Sequence, residues 1–388
     1  MTKSDLVLSG FHRASGVVGV RNHLLILNLT GLTEGPARRA HAALPGSVLV
    51  NFPHGMGMIG RDLEASTRLL SGLAAHPNAG ATVLVSADRT RLEQIGQAVN
   101  ADGAVCDALC LDSFEHDALA LSDAIVRSGA QMIRKATALP RQPAMLSQLC
   151  VGVECGLSDP TSGIAANPLI GRVADRLVEN GATVIMGETL EWLGVEDQLA
   201  ERAANPAVAD AIFQAVARRE ALATEAGVDL LGINPNRRNI EEGLSTIEEK
   251  ASGSIAKSGS AAIQGLLAHG EKPTSRGLWL MDQPSYSPES LTGFAAAGAQ
   301  MALFSTGSGN SYTSALMPTI KLTANAATAK RLGAQIDFDC SELMAGSDPE
   351  PCTQQLLHHI QSVASGMLTF GEILNEGSEV FSRYGEAL

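Results

Sequence analysis

Between residues 152 and 168 the chain places one thiol (Cys155), two carboxylates (Glu154, Asp159), three hydroxyls (Ser158, Thr161, Ser162) and an amide (Asn167) in a run that also holds three glycines. A strand-like stretch precedes this run and a helical one follows it. Polar residues at a strand-to-helix passage of an open α/β sheet face a ligand, and this set suits a metal ion or a hydroxy acid. Cys155 reads as a nucleophile, a metal ligand or a small buried residue. Ser158 or Asp159 also reads as a helix cap.

Further clusters stand at other expected strand ends. Glu188 projects near a strand tip, as a metal ligand, a proton carrier or a first-turn helical glutamate. Residues 234–260 are dense in amides, hydroxyls and both charge signs, with Asn239, Thr246, Glu249, Lys250 and Lys257 among them. That composition suits a site gripping a polyhydroxy acid, or an exposed charged loop. Thr306, Gly307 and Asn310 lie in a glycine- and hydroxyl-rich stretch suited to cradling an anion. Asp282 closes an apolar strand. Arg21 and His23 alternate along an extended segment and face one way, available to a substrate carboxylate. His54, in a Pro–His–Gly setting, reads as an acid/base group or as a structural histidine. No P-loop is present, and Gly55-x-Gly57-x-x-Gly60 matches a dinucleotide fingerprint in spelling only, so no nucleotide cofactor is expected.

The elements that must position these residues alternate. Strands are expected at 24–29, 47–52, 81–86 and 104–111, with helices at 36–43, 62–75, 89–100 and 116–137. The proline-rich residues 140–143 read as a linker. Strands then follow at 146–153, 183–186, 277–282 and 300–305, with helices at 167–180, 287–297 and 352–365. Residues 196–226 read as almost continuously helical, and residues 330–338 as returning to the sheet. Such alternation indicates βαβ units. The expectation is an α/β fold of two or more domains, mainly parallel sheets flanked by helices. One domain spans residues 1–140, and a catalytic one spans 144–388. A chain of 388 residues exceeds one ordinary core.

Hydrophobic residues are 45% and charged residues 18%, as in a folded chain, and the net charge of −13 comes with no basic stripe. A nucleic-acid partner is therefore not expected. No apolar run reaches about 18 residues and the start shows no leader, so neither membrane nor secretion is expected, and the location read is cytoplasmic. The six cysteines have no zinc or iron–sulfur spacing. They read as reduced, mostly buried thiols, with Cys155 the exception.

Several segments together resemble the altronate/galactarate dehydratase family over nearly the whole chain. They are Gly19-Val-Arg-Asn-His23, His54-Gly-Met-Gly57, Glu154-Cys-Gly-Leu-Ser-Asp-Pro-Thr-Ser-Gly163, Gly187-Glu-Thr189, the run from Asn239 to Lys250, Gly277-Leu-Trp-Leu-Met-Asp282, Thr306-Gly307, Pro318-Thr-Ile-Lys-Leu322 and Leu368-Thr-Phe-Gly-Glu-Ile-Leu374. The resemblance implies a metal-dependent lyase, usually with Fe2+, that dehydrates sugar acids to 2-keto-3-deoxy acids. It implies Cys155, Asp159, Glu188 and Glu248 or Glu249 near the site, with Lys250 or Lys257 as base or anion clamp. Cys155, Glu188 and Asp282 are the expected ligands of Fe2+, Mg2+ or Mn2+. Arg21, His23, Ser158, Ser162, Asn239, Thr246, Thr306, Gly307, Asn310 and Lys321 are the expected contacts to a small anionic hydroxy acid. Many relatives carry cysteines where this chain reads 28–33, 54–57, 85–88 and 310–314 without one. That departure points to the sulfolactate sulfo-lyase branch, which expels sulfite with less need of a metal, or with none. The remaining class is an inactive binding paralogue. A separate small subunit and a homo- or hetero-oligomer are also expected from the resemblance.

Overall fold

The computed structural model describes residues 7–101 and 103–385. The first six residues, on which the leaderless start was read, fall outside the described residues, as do the last three. Four parallel strands form one sheet in the spatial order Ser47–Asn51, His23–Asn28, Ala79–Ser86, Cys106–Cys110. The strand His23–Asn28 is apolar on both faces, as one covered on both sides must be. Leu25 and Leu27 meet Leu69, Leu70 and Leu73 of the helix Gly60–Ala74 and Leu92 and Ile95 of Arg89–Ala101. Leu24 and Ile26 meet Ala37 and Ala40 of the helix Glu34–Ala43 and Leu121 and Ile125 of Ala118–Ala136.

A second sheet has seven parallel strands, in the order Ile263–Ala268, Gly277–Asp282, Thr183–Met186, Cys150–Cys155, Met301–Ser305, Thr319–Thr323, Phe338–Asp339. Val151, Val153, Val184 and Leu280 pack on Leu169, Ile170, Val173 and Leu177 of the helix Asn167–Glu179. On the opposite face Ile185, Met281 and Phe304 pack on Leu291 and Phe294 of the helix Ser287–Ala296. This is a multidomain α/β architecture with parallel sheets flanked by helices. From Cys150–Cys155 the chain passes to Thr183–Met186 on one side, while the neighbour on the other side, Met301–Ser305, continues to Thr319–Thr323. The reversal opens a crevice beyond the carboxyl ends of those two central strands, where open sheets bind ligands.

The structure departs from the sequence reading at several places. The stretch read as a linker contributes a strand, Gln142–Met145, which pairs antiparallel with Val7–His12. Pro143 is tolerated because that strand lies at the edge of its three-stranded sheet. The helical run over 196–226 is broken into Glu196–Ala200 and Pro206–Glu225, the second capped by Asn205, whose side chain accepts from the Val208 N–H. The strand Ile263–Ala268 was not anticipated. Within 330–338 only Phe338 joins a strand.

Contacts between regions distant in sequence rest on buried polar groups. Asn78 Oδ1 accepts from the N–H groups of Val20 (2.9 Å) and Arg21 (3.3 Å), while its Nδ2 donates to the carbonyls of Gln300 (2.8 Å) and Leu316 (2.9 Å). His76 Nδ1 accepts from the Asn78 N–H at 3.0 Å, and its Nε2 reaches the Ala299 carbonyl, also at 3.0 Å. Burial holds His76 down at about 3 and both His23 and His269 at about 4. A histidine with a depressed folded pKa adds stability above about 6.5 and loses it as pH falls toward the folded value. Each should therefore contribute a loss approaching 1.4 kcal/mol per pH unit between about 6.5 and 4. The measurement is denaturant unfolding across that range for the wild type and His76→Gln. The variant should show the shallower acid dependence, and equal slopes would refute the assignment.

Candidate active site

The strand Cys150–Cys155 ends with Glu154 and Cys155 on opposite faces, as strand geometry requires. Glu154 accepts from Ser290 Oγ at 2.6 Å. Cys155 faces the helix Ile247–Ile255 and the turn Ala256–Ser258, which present Lys250, Ser254 and Lys257 on one side through their i, i+4, i+7 spacing. Glu188 follows the strand Thr183–Met186 with φ +68°, a left-handed backbone that costs a non-glycine residue about 1–2 kcal/mol. The 3-10 turn Thr189–Trp192 then brings Glu191, three residues on, to the side of Glu188.

Lys257 Nζ sits among these groups. It lies 2.5 Å from Glu188 Oε2, 2.7 Å from Ser254 Oγ, 3.1 Å from Cys155 Sγ and 3.7 Å from Glu191 Oε2. Lys250 Nζ donates to Glu191 and, at 2.5 Å, to Asn234 Oδ1. Both lysines and both glutamates are buried. Burial alone would discharge Lys257, but the fields of the neighbouring Glu188 and Glu191 carboxylates help raise its pKa instead. Burial would likewise raise Glu191, yet Lys250 and Lys257 hold it at about 2. Cys155 has burial and two neighbouring glutamates against ionisation and is pushed up to about 12, so it stands as a neutral thiol. Burial and the Glu188 charge raise Glu154.

Cys155 Sγ and carboxylate oxygens of Glu188 and Glu191 lie within 4.8 Å of one another and can coordinate a metal ion. Glu188 Oε1, buried and without a hydrogen-bond partner, fits an ion-holding role. One sulfur and two carboxylates form a mixed soft–hard donor set, and the thiol must lose its proton to bind. The Lys257 ammonium contacts all three donors, so an ion entering there displaces it.

Cys155, Glu191, Lys250 and Asn234 open onto a cavity of about 840 Å³ beyond the strand ends. Ser158, Asn239 and Asn310, three of the expected substrate contacts, also line it. Asn239 Nδ2 donates to the Ser158 carbonyl at 2.8 Å. Asp159 lies beside this wall, accepting from Thr161 Oγ1 at 2.6 Å, the Ser162 N–H at 3.1 Å and Asn325 Nδ2 at 2.8 Å. Gly307 packs against it, and a Cβ there would stand 2.3 Å from the Asp159 carboxyl carbon. Thr306 Oγ1 accepts from the Gly309 N–H.

Other expected site residues are engaged elsewhere. Asp282 accepts from Arg218 and Arg219, both at 2.8 Å, and from Thr189 Oγ1 at 2.9 Å, so its oxygens are taken and it is absent from the donor cluster. Glu249 is exposed and accepts from the N–H and Oγ of Ser245, while Thr246 caps the same helix. Arg21 forms a paired contact with Glu372 at 2.6 and 2.9 Å, and Lys321 pairs with Glu376 at 2.7 Å. His23, half-buried, lines a different cavity beside Thr313 and Glu372. The His54 ring stands edge-on to Phe52, with Nε2 3.3 Å from the Phe381 carbonyl.

The domain family described as D-galactarate/Altronate dehydratase, C-terminal, matches residues 146–386. A second, D-galactarate dehydratase/Altronate hydrolase, second domain, matches residues 10–137. The (2R)-sulfolactate sulfo-lyase subunit beta of Chromohalobacter salexigens is 33% identical over 383 residues, 97% of this chain and 97% of that protein. The chain belongs to the galactarate/altronate dehydratase family. Another member, altronate dehydratase of Escherichia coli, is 29% identical over 388 residues, 95% of this chain and 76% of that protein. Galactarate dehydratase (L-threo-forming) of Escherichia coli is 33% identical over 243 residues, 62% of this chain and 46% of that protein. As a member of this family, with a buried cluster able to chelate a metal ion, the chain is a carbon–heteroatom lyase acting on a hydroxy or sugar acid. Among the described residues, no helix is long and apolar enough to cross a membrane.

Sequence reasoning did not single out Glu191, Ser254 or Asn234. The first carried a usable signal, its i, i+3 spacing from Glu188. Removing one partner of a buried ion pair leaves the other charge uncompensated, at a cost of about 3–5 kcal/mol. Lys257→Met should lose about that much by denaturant unfolding, and adding Glu188→Gln should recover part of it. Additive losses would show that the two side chains are not coupled.

Proposed function

We propose that this chain is the catalytic subunit of a lyase that expels sulfite from a three-carbon 3-sulfo-2-hydroxy acid, (2R)-sulfolactate. The observation that carries this reading is the match to a sulfolactate sulfo-lyase subunit over 97% of both chains. That relative is by name a beta subunit, so the reading includes a separate small partner subunit and a hetero-oligomer. The cysteine-poor strand ends favour the same branch, because sulfite leaves more readily than hydroxide.

In this reading the substrate carboxylate is drawn to Lys250, which lines the cavity, with the buried Lys257 ammonium behind it. As Lys250 turns to it, Glu191 loses part of the positive field that keeps its pKa low and becomes the acceptor for the C2 proton. The C3–S bond breaks with its electron pair going to sulfur. Sulfite departs and the enol of pyruvate remains, to tautomerise. The two ammonium groups stabilise the enediolate charge that develops on the carboxylate. With the Lys257 ammonium displaced, Cys155, Glu188 and Glu191 would instead hold a divalent ion, with Fe2+ favoured by the thiol. When bound, it supplies Lewis-acid stabilisation of the same charge.

A second reading, dehydration of a sugar acid, is favoured by the cavity of about 840 Å³, which is roomy for a three-carbon substrate. The test is an anaerobic assay of the purified chain with its small partner, scoring sulfite and pyruvate from sulfolactate in parallel with keto acid from altronate and galactarate. Sulfite release is the expected outcome. Keto acid from the sugar acids alone would transfer the assignment to the second reading. Glu191→Gln should lower kcat by roughly 10²–10⁴, the range of a general base. Cys155→Ala should lower bound iron, and unchanged iron content would remove Cys155 from the ligand set.

A further inference from the structure

The two carboxylate oxygens of Glu191 are held unequally. Oε2 accepts from Ser254 Oγ at 2.5 Å and from the Cys155 thiol at 3.3 Å, and the Lys257 ammonium stands 3.7 Å away. Oε1 has one partner among the described residues, the Lys250 ammonium. Lys250 lines the cavity and keeps a second, neutral partner there, Asn234 Oδ1 at 2.5 Å. It can therefore leave Glu191 without standing unpaired, a state that is costly for a buried charge.

Ser254 is placed so that its one hydroxyl proton goes to Glu191. The residue is buried, and its Oγ accepts from Lys257 Nζ at 2.7 Å. An ammonium has donors only, so it takes a lone pair on Oγ and cannot take the proton. The Cys155 sulfur, at 3.5 Å, is a weak acceptor, whereas the Glu191 carboxylate gives a strong, charge-assisted bond. That bond joins residues 63 positions apart, on the helix Ile247–Ile255 and the turn Thr189–Trp192. The backbone of the turn is fixed separately. The Glu191 N–H donates to the Glu188 carbonyl at 2.8 Å, and the Trp192 indole N–H donates to the Gly187 carbonyl at 3.0 Å. Those bonds leave the Glu191 side chain free, and a glutamate has many rotamers to lose. The bond from Ser254 removes that freedom.

We propose that Ser254 is a positioning residue for the lyase reaction. It anchors Glu191 through Oε2, so that Oε1 is the oxygen that receives the C2 proton once Lys250 turns to the substrate. The proposal rests on the reading of Glu191 as the base given above. The C2–H bond breaks, its electron pair stays in the enediolate, and the proton passes to Oε1. Without the anchor the carboxylate rotates as Lys250 leaves, and alignment with C2 is lost while the substrate is still held. Ser254 touches no substrate itself, because it lies behind Glu191 and does not line the large cavity.

The test is steady-state turnover of the chain with its small partner, on sulfolactate carrying hydrogen or deuterium at C2, or on a sugar acid so labelled if that alone reacts. Ser254→Ala should lower kcat by roughly 10–100-fold, the cost of misplacing a reacting group. KM should stay within about twofold, because substrate binding is untouched. The C2 isotope effect on kcat should exceed that of the wild type, as proton transfer becomes the slower step. Ser254→Thr keeps the hydroxyl and should return both quantities toward wild type. Ser254→Cys, close to serine in size and a weak donor, should follow the alanine variant and gives the same reading if Ser254→Ala does not fold. An unchanged kcat, or a lower one with an unchanged isotope effect, would overturn the anchor. Glu191→Gln tells this failure from that of the underlying reading. An inactive Glu191→Gln beside a fully active Ser254→Ala leaves the lyase reading intact, whereas a fully active Glu191→Gln removes the base and this proposal with it.

Discussion

The ammonium of Lys257, buried at the carboxyl end of a parallel sheet, makes a demand that much of the surrounding structure answers. A charge taken out of water costs several kcal/mol unless partners surround it. Here Glu188, Cys155, Ser254 and Glu191 come from three separate segments to do so. Lys250 brings a second positive charge, and Glu191 balances it. The cluster is thus nearly neutral as a set while each member is strongly polarised by the others. Such a site can move charge at little cost, because a substrate carboxylate or a metal ion re-divides fields already present.

Close packing keeps those segments in place. The helix Asn167–Glu179 lies so near the turn carrying Lys257 that a Cβ on Gly171 would fall 2.1 Å from the Ala256 carbonyl oxygen. Asn167, at the start of that helix, donates to the Gly253 carbonyl at 2.8 Å and accepts from Ser305 Oγ at 2.5 Å. One residue therefore ties together the helix bearing the lysines and a central strand. The π-helical turn Ser162–Ala166, just before it, is a local distortion of the kind often found at functional sites. On the other side of Glu188, Gly187 admits the amide of Gln283, which donates to Ser290, which in turn donates to Glu154. The polar network thus passes from one face of the sheet to the other.

Long-range pairing also explains the charged residues that sequence reasoning assigned to the substrate but the fold engages elsewhere. Arg21 and Glu372 are 351 positions apart, and Lys321 and Glu376 are 55 apart. Nothing local marks these as pairs. An arginine or lysine in a family motif reads as an anion contact until its carboxylate partner is located in space. Asp282 presents the same case, because its two arginines lie in a helix more than 60 residues earlier.

The sequence by itself determined the alternation of strands and helices, the family, and the strand-end segments in which chemistry would lie. Apolar runs of strand length, helical periodicity and local motifs are properties of neighbouring residues. It did not disclose the helix Ile247–Ile255, whose face carries Lys250 and Ser254 toward Cys155, because that stretch read as a polar cluster or an exposed loop. Tertiary structure alone decided which charges met. It turned the thiol of Cys155 from a possible nucleophile into a neutral donor among buried glutamates, made Glu191 rather than Asp282 the third candidate ligand, and left Glu249 exposed, bonded to Ser245. Those outcomes depend on burial and on distances between segments far apart in the chain. Desolvation and Coulomb fields act through space, so the order of residues does not disclose them.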